Sequence, residues 1–328
     1  MTHSSEIIIH DKNSREERTY SFQDIQAIYH ELTGNRESMS EFIPSCINLT
    51  VEHIEQLNHK IEQWIAQYNC SSLHSAVTIR TVDGQKNVYS DMQRFFLSPN
   101  PMSSETLAIS IEYNFIILLP NQPTVQNYKL SIQLESNIAK RHKLEQEHLA
   151  LPKFFIVLSN SVAGQIEIEY VDFNVAASLM TTVKGWSKAI SAPKNKSNTN
   201  YKKYQRYSGI FPFSFTLITM LIILFATYIG ADKIVVPTNI IDTFKNLVLI
   251  IVGILVIGTV SYIMGRIAEF SFDNRILISY INLNSHDENL IQQAYSENKQ
   301  SKRNFITSII INFIVSICAG IVTAVMMG

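Results

Sequence analysis

Three windows of this chain, residues 207–231, 246–265 and 304–328, contain no charged side chain, and all three lie toward its C-terminal end. A helix needs about 20 apolar residues to cross the hydrocarbon core of a bilayer, and each window is long enough. In hydrocarbon the backbone must satisfy its own hydrogen bonds, so the windows predict membrane helices at about 209–230, 246–265 and 305–327. Residues 1–206 mix apolar and polar positions and read as an ordinary water-facing domain with a tail. The length of 328 residues agrees with about two domains.

Residues 1–192 predict an α+β domain, with antiparallel strands and flanking helices. The stretch Ser21-Phe-Gln-Asp24 opens a helix carrying Ile25, Ile28, Tyr29 and Leu32 on one face. Thr50 opens a stronger one, with Ile54, Leu57, Ile61, Trp64, Ile65 and Tyr68 at helical spacing. His53 and His59 fall outside that apolar set. Asp83-Gly84 between residues 76–82 and 85–89 signals a hairpin. Two further strand pairs join 107–119 to 128–134 and 154–158 to 165–172, and Asn174 caps a helix that runs through Trp186. Residues 193–206 form a basic linker, and 207–328 a three-helix membrane domain, so the fold class is α+β followed by all-α.

Charge decides the orientation. Cytoplasmic flanks carry the excess of Lys and Arg. Lys194, Lys196, Lys202, Lys203 and Arg206 precede the first span, and Arg266, Arg275, Lys299, Lys302 and Arg303 lie between the second and third. The short 232–245 loop has two lysines against two aspartates. The N-terminal domain is therefore expected in the cytoplasm and the C-terminus outside. The start of the chain lacks the basic and apolar regions of a secretory signal. In the inner segment, Ser285 or Asp287 caps a helix with Leu290, Ile291 and Tyr295 on one face. The three cysteines have no paired spacing, and Cys318 falls inside the third span, which argues against a disulfide framework.

The chemistry of known catalytic motifs is missing. There is no Gly-rich phosphate loop, no His-Glu-x-x-His, no Cys-x-x-Cys and no Gly-x-Ser-x-Gly elbow. His142-x-x-Glu145-x-x-His148 matches no metal spacing and reads as a solvated helix face. No catalytic residue, metal ligand or cofactor is assigned, and the chain reads as a non-enzyme. A membrane-bound enzyme with groups scattered along the sequence is the weakest alternative.

Three features carry a choice of readings. Lys140, Arg141 and Lys143 form the densest basic run of the N-terminal domain, either a solvated helix face or a phosphate-binding site joined by Arg94 and Lys129. Tyr201, Lys202, Lys203, Tyr204, Arg206 and Tyr207 combine tyrosines with cations, as membrane–water interfaces do. A regulatory ligand site on these residues is the alternative. In the last span, every fourth residue gives Ser308, Asn312, Ser316, Gly320 and Ala324, a small and polar ridge. Such a ridge serves either close helix packing or a water-lined path. No Asp, Glu, Lys, Arg or His lies inside any window, which disfavours a charge-coupled carrier. Three spans cannot enclose a pore alone, so a conduit requires a homo-oligomer, with a tetramer as one candidate.

This order of parts, a soluble α+β domain, a basic linker and a charge-free multi-span bundle, resembles the membrane effectors of bacterial anti-phage systems, most of all the Hailong family. The resemblance spans the chain as an architecture, with residues 1–192 as a cytosolic crown and 207–328 as an ion channel. It implies a homo-oligomeric, multi-pass channel of the bacterial inner membrane, in contact with lipid. Its crown would bind a single-stranded DNA oligomer made by a partner nucleotidyltransferase, and loss of the oligomer would open the channel and arrest growth. A membrane-anchored binding or scaffold protein without a pore is the competing reading.

Overall fold

The chain divides into two compact units, one of residues 1–193 and 278–291, the other of residues 194–277 and 292–328. In this computed structural model the backbone is described for 6–10, 17–21, 36–44, 46–97, 102–119, 125–147, 162–191, 205, 207–230, 240–275 and 277–327. Among these, the side chains at 6–10, 17–21, 44, 230, 240, 242, 243, 246 and 323–327 lie outside the description.

The first unit contains β1 (Glu6–His10), β2 (Glu17–Ser21), β3 (Glu37–Pro44), β4 (Asn48–Thr50), α1 (Val51–Ile65), β5 (Asn69–Thr81), β6 (Lys86–Tyr89) and α2 (Met92–Leu97). It continues with β7 (Thr106–Leu118), β8 (Gln126–Glu135), α3 (Asn137–Gln146), β9 (Val162–Tyr170) and α4 (Phe173–Ile190). The main sheet has six strands in the order β3-β9-β8-β7-β5-β6, and every neighbouring pair is antiparallel. The predicted α+β class is therefore observed.

Strand alternation explains why one face of this sheet is apolar. In β7 and β8, Ile109, Ile111, Tyr113, Phe115, Tyr128, Leu130 and Ile132 are buried. The intervening Glu112, Asn114, Lys129, Ser131 and Gln133 occupy the opposite, polar face. α1 and α4 cover the apolar face with Ile54, Leu57, Ile61, Leu179, Val183 and Trp186. Burying each large apolar side chain contributes about 1.5–3 kcal/mol relative to exposure. Two indole N–H groups tie these helices down, Trp64 Nε1 to Ser178 Oγ at 3.0 Å and Trp186 Nε1 to the His53 carbonyl at 2.8 Å. Trp186→Phe is expected to lower the unfolding free energy by about 2 kcal/mol, because one buried hydrogen bond is lost and the smaller ring leaves a void in the core. Thermal unfolding of the full chain in detergent reads this directly.

Several local expectations change. Residues 22–35 and 154–158 lie outside the described residues, and Ser21 closes β2. β9 pairs with β8 and with β3, an edge strand that periodicity did not reveal. α4 is capped by Asp172, not Asn174, and runs to Ile190. The Asp172 carboxylate accepts from the N–H groups of Asn174 and Val175, and a carboxylate there satisfies two otherwise orphan donors at the positive end of the helix. The phenol of Tyr128 joins this cap by accepting the Asp172 N–H at 3.2 Å. Burial, the main cause, pushes that phenol up to about 12. At Thr50 the cap is as expected, but His53 completes it, with Nδ1 accepting the Thr50 N–H at 3.2 Å. The Asp83-Gly84 hairpin forms between β5 and β6, with Gly84 at φ +92°, a conformation that needs glycine.

The second unit contains α5 (Phe211–Gly230), α6 (Ile240–Asp273) and most of α7 (Ser285–Met327). Three helices among the described residues are long and apolar enough to cross a membrane, within Ser208–Ile229, Leu247–Asp273 and Ser285–Val322. α6 extends past its charge-free window through Arg266, Glu269 and Asp273. At 34 residues it is about 50 Å long, more than the ~30 Å hydrocarbon core requires. α7 is longer still, 43 residues and about 64 Å.

Candidate functional site

Two polar constellations stand out, one in each unit, and both involve α7. In the first unit, the chain returning from the second membrane helix is built into the α+β domain. Its strand β10 (Tyr280–Asn282) pairs in parallel with β4, setting Ile281 beside Leu49 in the core. The sequence reading placed this stretch with the membrane domain, whereas residues 278–291 belong to the first unit. A three-residue strand has too little periodicity to announce itself.

Ser279 is the hub of this junction. Its carbonyl accepts the first two N–H groups of α3, from Asn137 at 3.1 Å and Ile138 at 3.4 Å. Its hydroxyl accepts the Ile47 N–H at 3.1 Å, and the Tyr280 N–H donates to the Ile47 carbonyl at 2.9 Å. Ile47 also bridges Ser191, the last described residue before the linker. The side-chain amide of Asn137 is buried without a hydrogen-bond partner among the described residues. The start of α3 is therefore the least satisfied part of the junction.

A buried clamp fixes the start of α7. Asn284 Oδ1 accepts the Asp287 N–H at 2.9 Å, and Asp287 Oδ2 accepts the Asn284 N–H at 3.1 Å, a reciprocal capping box. The cap is therefore Asn284, and Asp287 is its third-position partner. The carboxylate does more than cap. It accepts the Thr106 N–H at 2.6 Å, the Thr106 hydroxyl at 2.9 Å and the Leu283 N–H at 2.9 Å. Asp287 is 2% exposed and Thr106 fully buried. Four donors around one buried carboxylate compensate for its lost hydration. The sequence reading placed the cap at Ser285 or Asp287; the Asn284-x-x-Asp287 spacing is the signal it passed over, and the further partner, Thr106, lies 181 residues away.

In the second unit, three levels of contact hold α5, α6 and α7 together. Phe211, Phe272 and Phe305, one from each helix, form an aromatic triangle with centroid separations of 5.4–5.7 Å. Further along α7, Gly320 lets α5 approach so closely that a Cβ there would stand 3.1 Å from the Ala226 Cβ. Between these levels lies a polar knot. Ser261 donates to Asn312 Oδ1 at 2.7 Å, and Asn312 Nδ2 donates to Thr219 Oγ1 at 3.4 Å. Thr219 Oγ1 is 2.8 Å from both Ser261 Oγ and Ser316 Oγ. Ser316 lies 2.7 Å from the Asn312 carbonyl, and Thr219 2.9 Å from the Phe215 carbonyl.

The proton count of this knot matters. Three hydroxyls bring three protons, yet five short contacts converge on their oxygens. Two of those contacts lack a proton at any instant. Several proton arrangements therefore compete, and the knot holds the helices in register without being saturated.

The ridge residues Ser308, Asn312, Ser316 and Gly320 are all buried against helices of the same chain. Asn312 is 6% exposed. The side chain of Ala324 lies outside the description. Thr216 and Thr227 satisfy their own helix carbonyls as expected, whereas Thr219 also reaches across to its neighbours.

The candidate anion-binding residues are not assembled into one described pocket. Lys140, Arg141 and Lys143 share α3, Lys129 lies on the polar face of β8, and Arg94 is on α2. Lys129 pairs with Glu112 at 3.3 Å, Arg94 with Asp91 at 3.4 Å, Arg141 with Glu145, and Lys140 with Glu135. Lys143 alone of the five has no acidic partner among the described residues. Tyr207 is exposed beside the start of α5, and Tyr201, Lys202, Lys203, Tyr204 and Arg206 lie outside the described residues. Among those described, no group of three metal-ligating side chains occurs.

Comparison with known proteins leaves the assignment to these residues. No family model, curated protein or solved structure matches the chain.

Proposed function

We propose that this protein is a homo-oligomeric membrane effector in which ligand binding to the α+β unit sets the state of the helical bundle, with ion flux as the output. The observation that carries the reading is α7. It begins on the buried Asp287 clamp among residues of the first unit and continues, as one helix, into the third span. A ligand that favours one state of the first unit biases what is attached to it by its differential affinity, and by no more. The Ser279 hub offers a route, since α3 docks on the same returning segment that starts α7. The knot lies where the three helices meet, so a change of register between them has to re-pair its hydroxyls.

The ligand in this reading is a nucleotide or oligonucleotide held at α3, as the resemblance to anti-phage effectors implies. Binding would have to displace the carboxylate partners of Lys140 and Arg141. Full-length protein, purified in detergent and washed at high salt, should then retain absorbance at 260 nm, and the triple variant Lys140→Ala, Arg141→Ala, Lys143→Ala should lose it. Protein-only spectra from the unaltered chain would remove the nucleotide from the account.

A second reading draws on the ridge itself. Its polar groups are consumed inside one protomer, which favours a membrane-anchored scaffold without a pore. Flux measurements separate the two.

A further inference from the structure

A groove of about 340 Å³ runs along the flank of α5 and α6, lined by Thr216, Met220, Leu255, Gly258, Thr259 and Tyr262. Its two threonine hydroxyls are already used. The Thr216 hydroxyl donates to the Pro212 carbonyl and the Thr259 hydroxyl to the Val256 carbonyl, both at 2.7 Å, so the groove offers an occupant almost nothing but carbon. Gly258 keeps it open, since a Cβ there would meet the Met220 terminal methyl at 3.0 Å.

The lining and a neighbouring charge select the occupant. A hydrocarbon chain lies against apolar side chains without leaving a buried polar group unpaired. Leu255, Thr259 and Tyr262 follow one helical stripe, and the next position on it is Arg266. The Arg266 side chain is 59% exposed, and its Nη1 is engaged by Glu269. The other guanidinium nitrogens stay available to a phosphate, which Arg recognises through several donors at once.

We propose that the groove holds an acyl chain of an anionic phospholipid whose phosphate is bound by Arg266. The inference rests on the membrane reading above and is independent of what the α+β unit binds. It deepens that reading by naming a lipid class that bears on the α5–α6 pair.

The test is native mass spectrometry of the full-length protein in mild detergent, offered equal amounts of phosphatidylglycerol and phosphatidylcholine. The unaltered chain should retain phosphatidylglycerol preferentially. Arg266→Gln should cut that preference about fivefold, the value of one cation near an anionic lipid surface. Gly258→Leu should abolish retention, and Thr259→Leu serves as a second filling variant where the first fails to assemble. Retention unchanged in both filling variants would overturn the proposal. So would a change of oligomeric mass with lipid retention intact, because a second copy would then occupy the groove. Release of the unaltered protein from membranes by alkaline carbonate would instead refute the membrane reading itself.

Discussion

Asp287→Ala is expected to destabilise the first unit by about 4 kcal/mol. The substitution strands the Thr106 N–H and hydroxyl in a fully buried position and removes the capping partner of Asn284. An unsatisfied buried donor costs about 1–3 kcal/mol, and the Leu283 and Asn284 N–H groups lose the same acceptor. Against a domain stability of 5–15 kcal/mol this is a large fraction. Asp287→Asn keeps one acceptor oxygen but sets an amide against N–H groups, so it should fall between alanine and the unaltered chain. Thermal unfolding and limited proteolysis of full-length protein in detergent measure both. A cost under about 1 kcal/mol for alanine would mean that the clamp does not fix the start of α7.

Asn312→Asp carries the next largest expected effect. It preserves shape while placing an ionisable group within the third span, among Thr219, Ser261 and Ser316. A carboxylate at the centre of a membrane helix costs about 2.5–3.5 kcal/mol on insertion scales. Asn312→Leu should cost less, about 1–2 kcal/mol, because interhelical hydrogen bonds in membranes are individually modest. Leucine also releases the Ser261 hydroxyl and loosens the register of α6 against α7. Unfolding in mixed micelles should rank the variants Asp below Leu below Asn. Equal stability of all three would show that the knot is peripheral to bundle assembly.

Much of the architecture was legible because it rests on local periodicity. The α1 stripe from Ile54 to Ile65, the Asp83-Gly84 turn and the charge-free windows each announce themselves within a few residues. What escaped depends on contacts distant in sequence. The pairing of β10 with β4 joins Tyr280 to Asn48 through a strand of three residues. Asp287 is an unremarkable helix-start acid until Thr106 is placed beside it. The polar ridge of α7 was visible, but spacing alone does not say whether Asn312 faces water or Thr219. That depended on the facing helices, where Thr219 and Ser261 supply its partners.

Potassium efflux from proteoliposomes loaded with full-length protein tests the coupling most directly. The comparison is between the unaltered chain and Asp287→Ala at matched incorporation, with protein-free liposomes as baseline. If α7 carries the state of the α+β unit into the bundle, releasing its clamp will change the efflux rate, and adding Asn312→Leu will change it again. Efflux at baseline from all three proteins, each assembled in the membrane, would contradict the effector reading and leave the anchored scaffold.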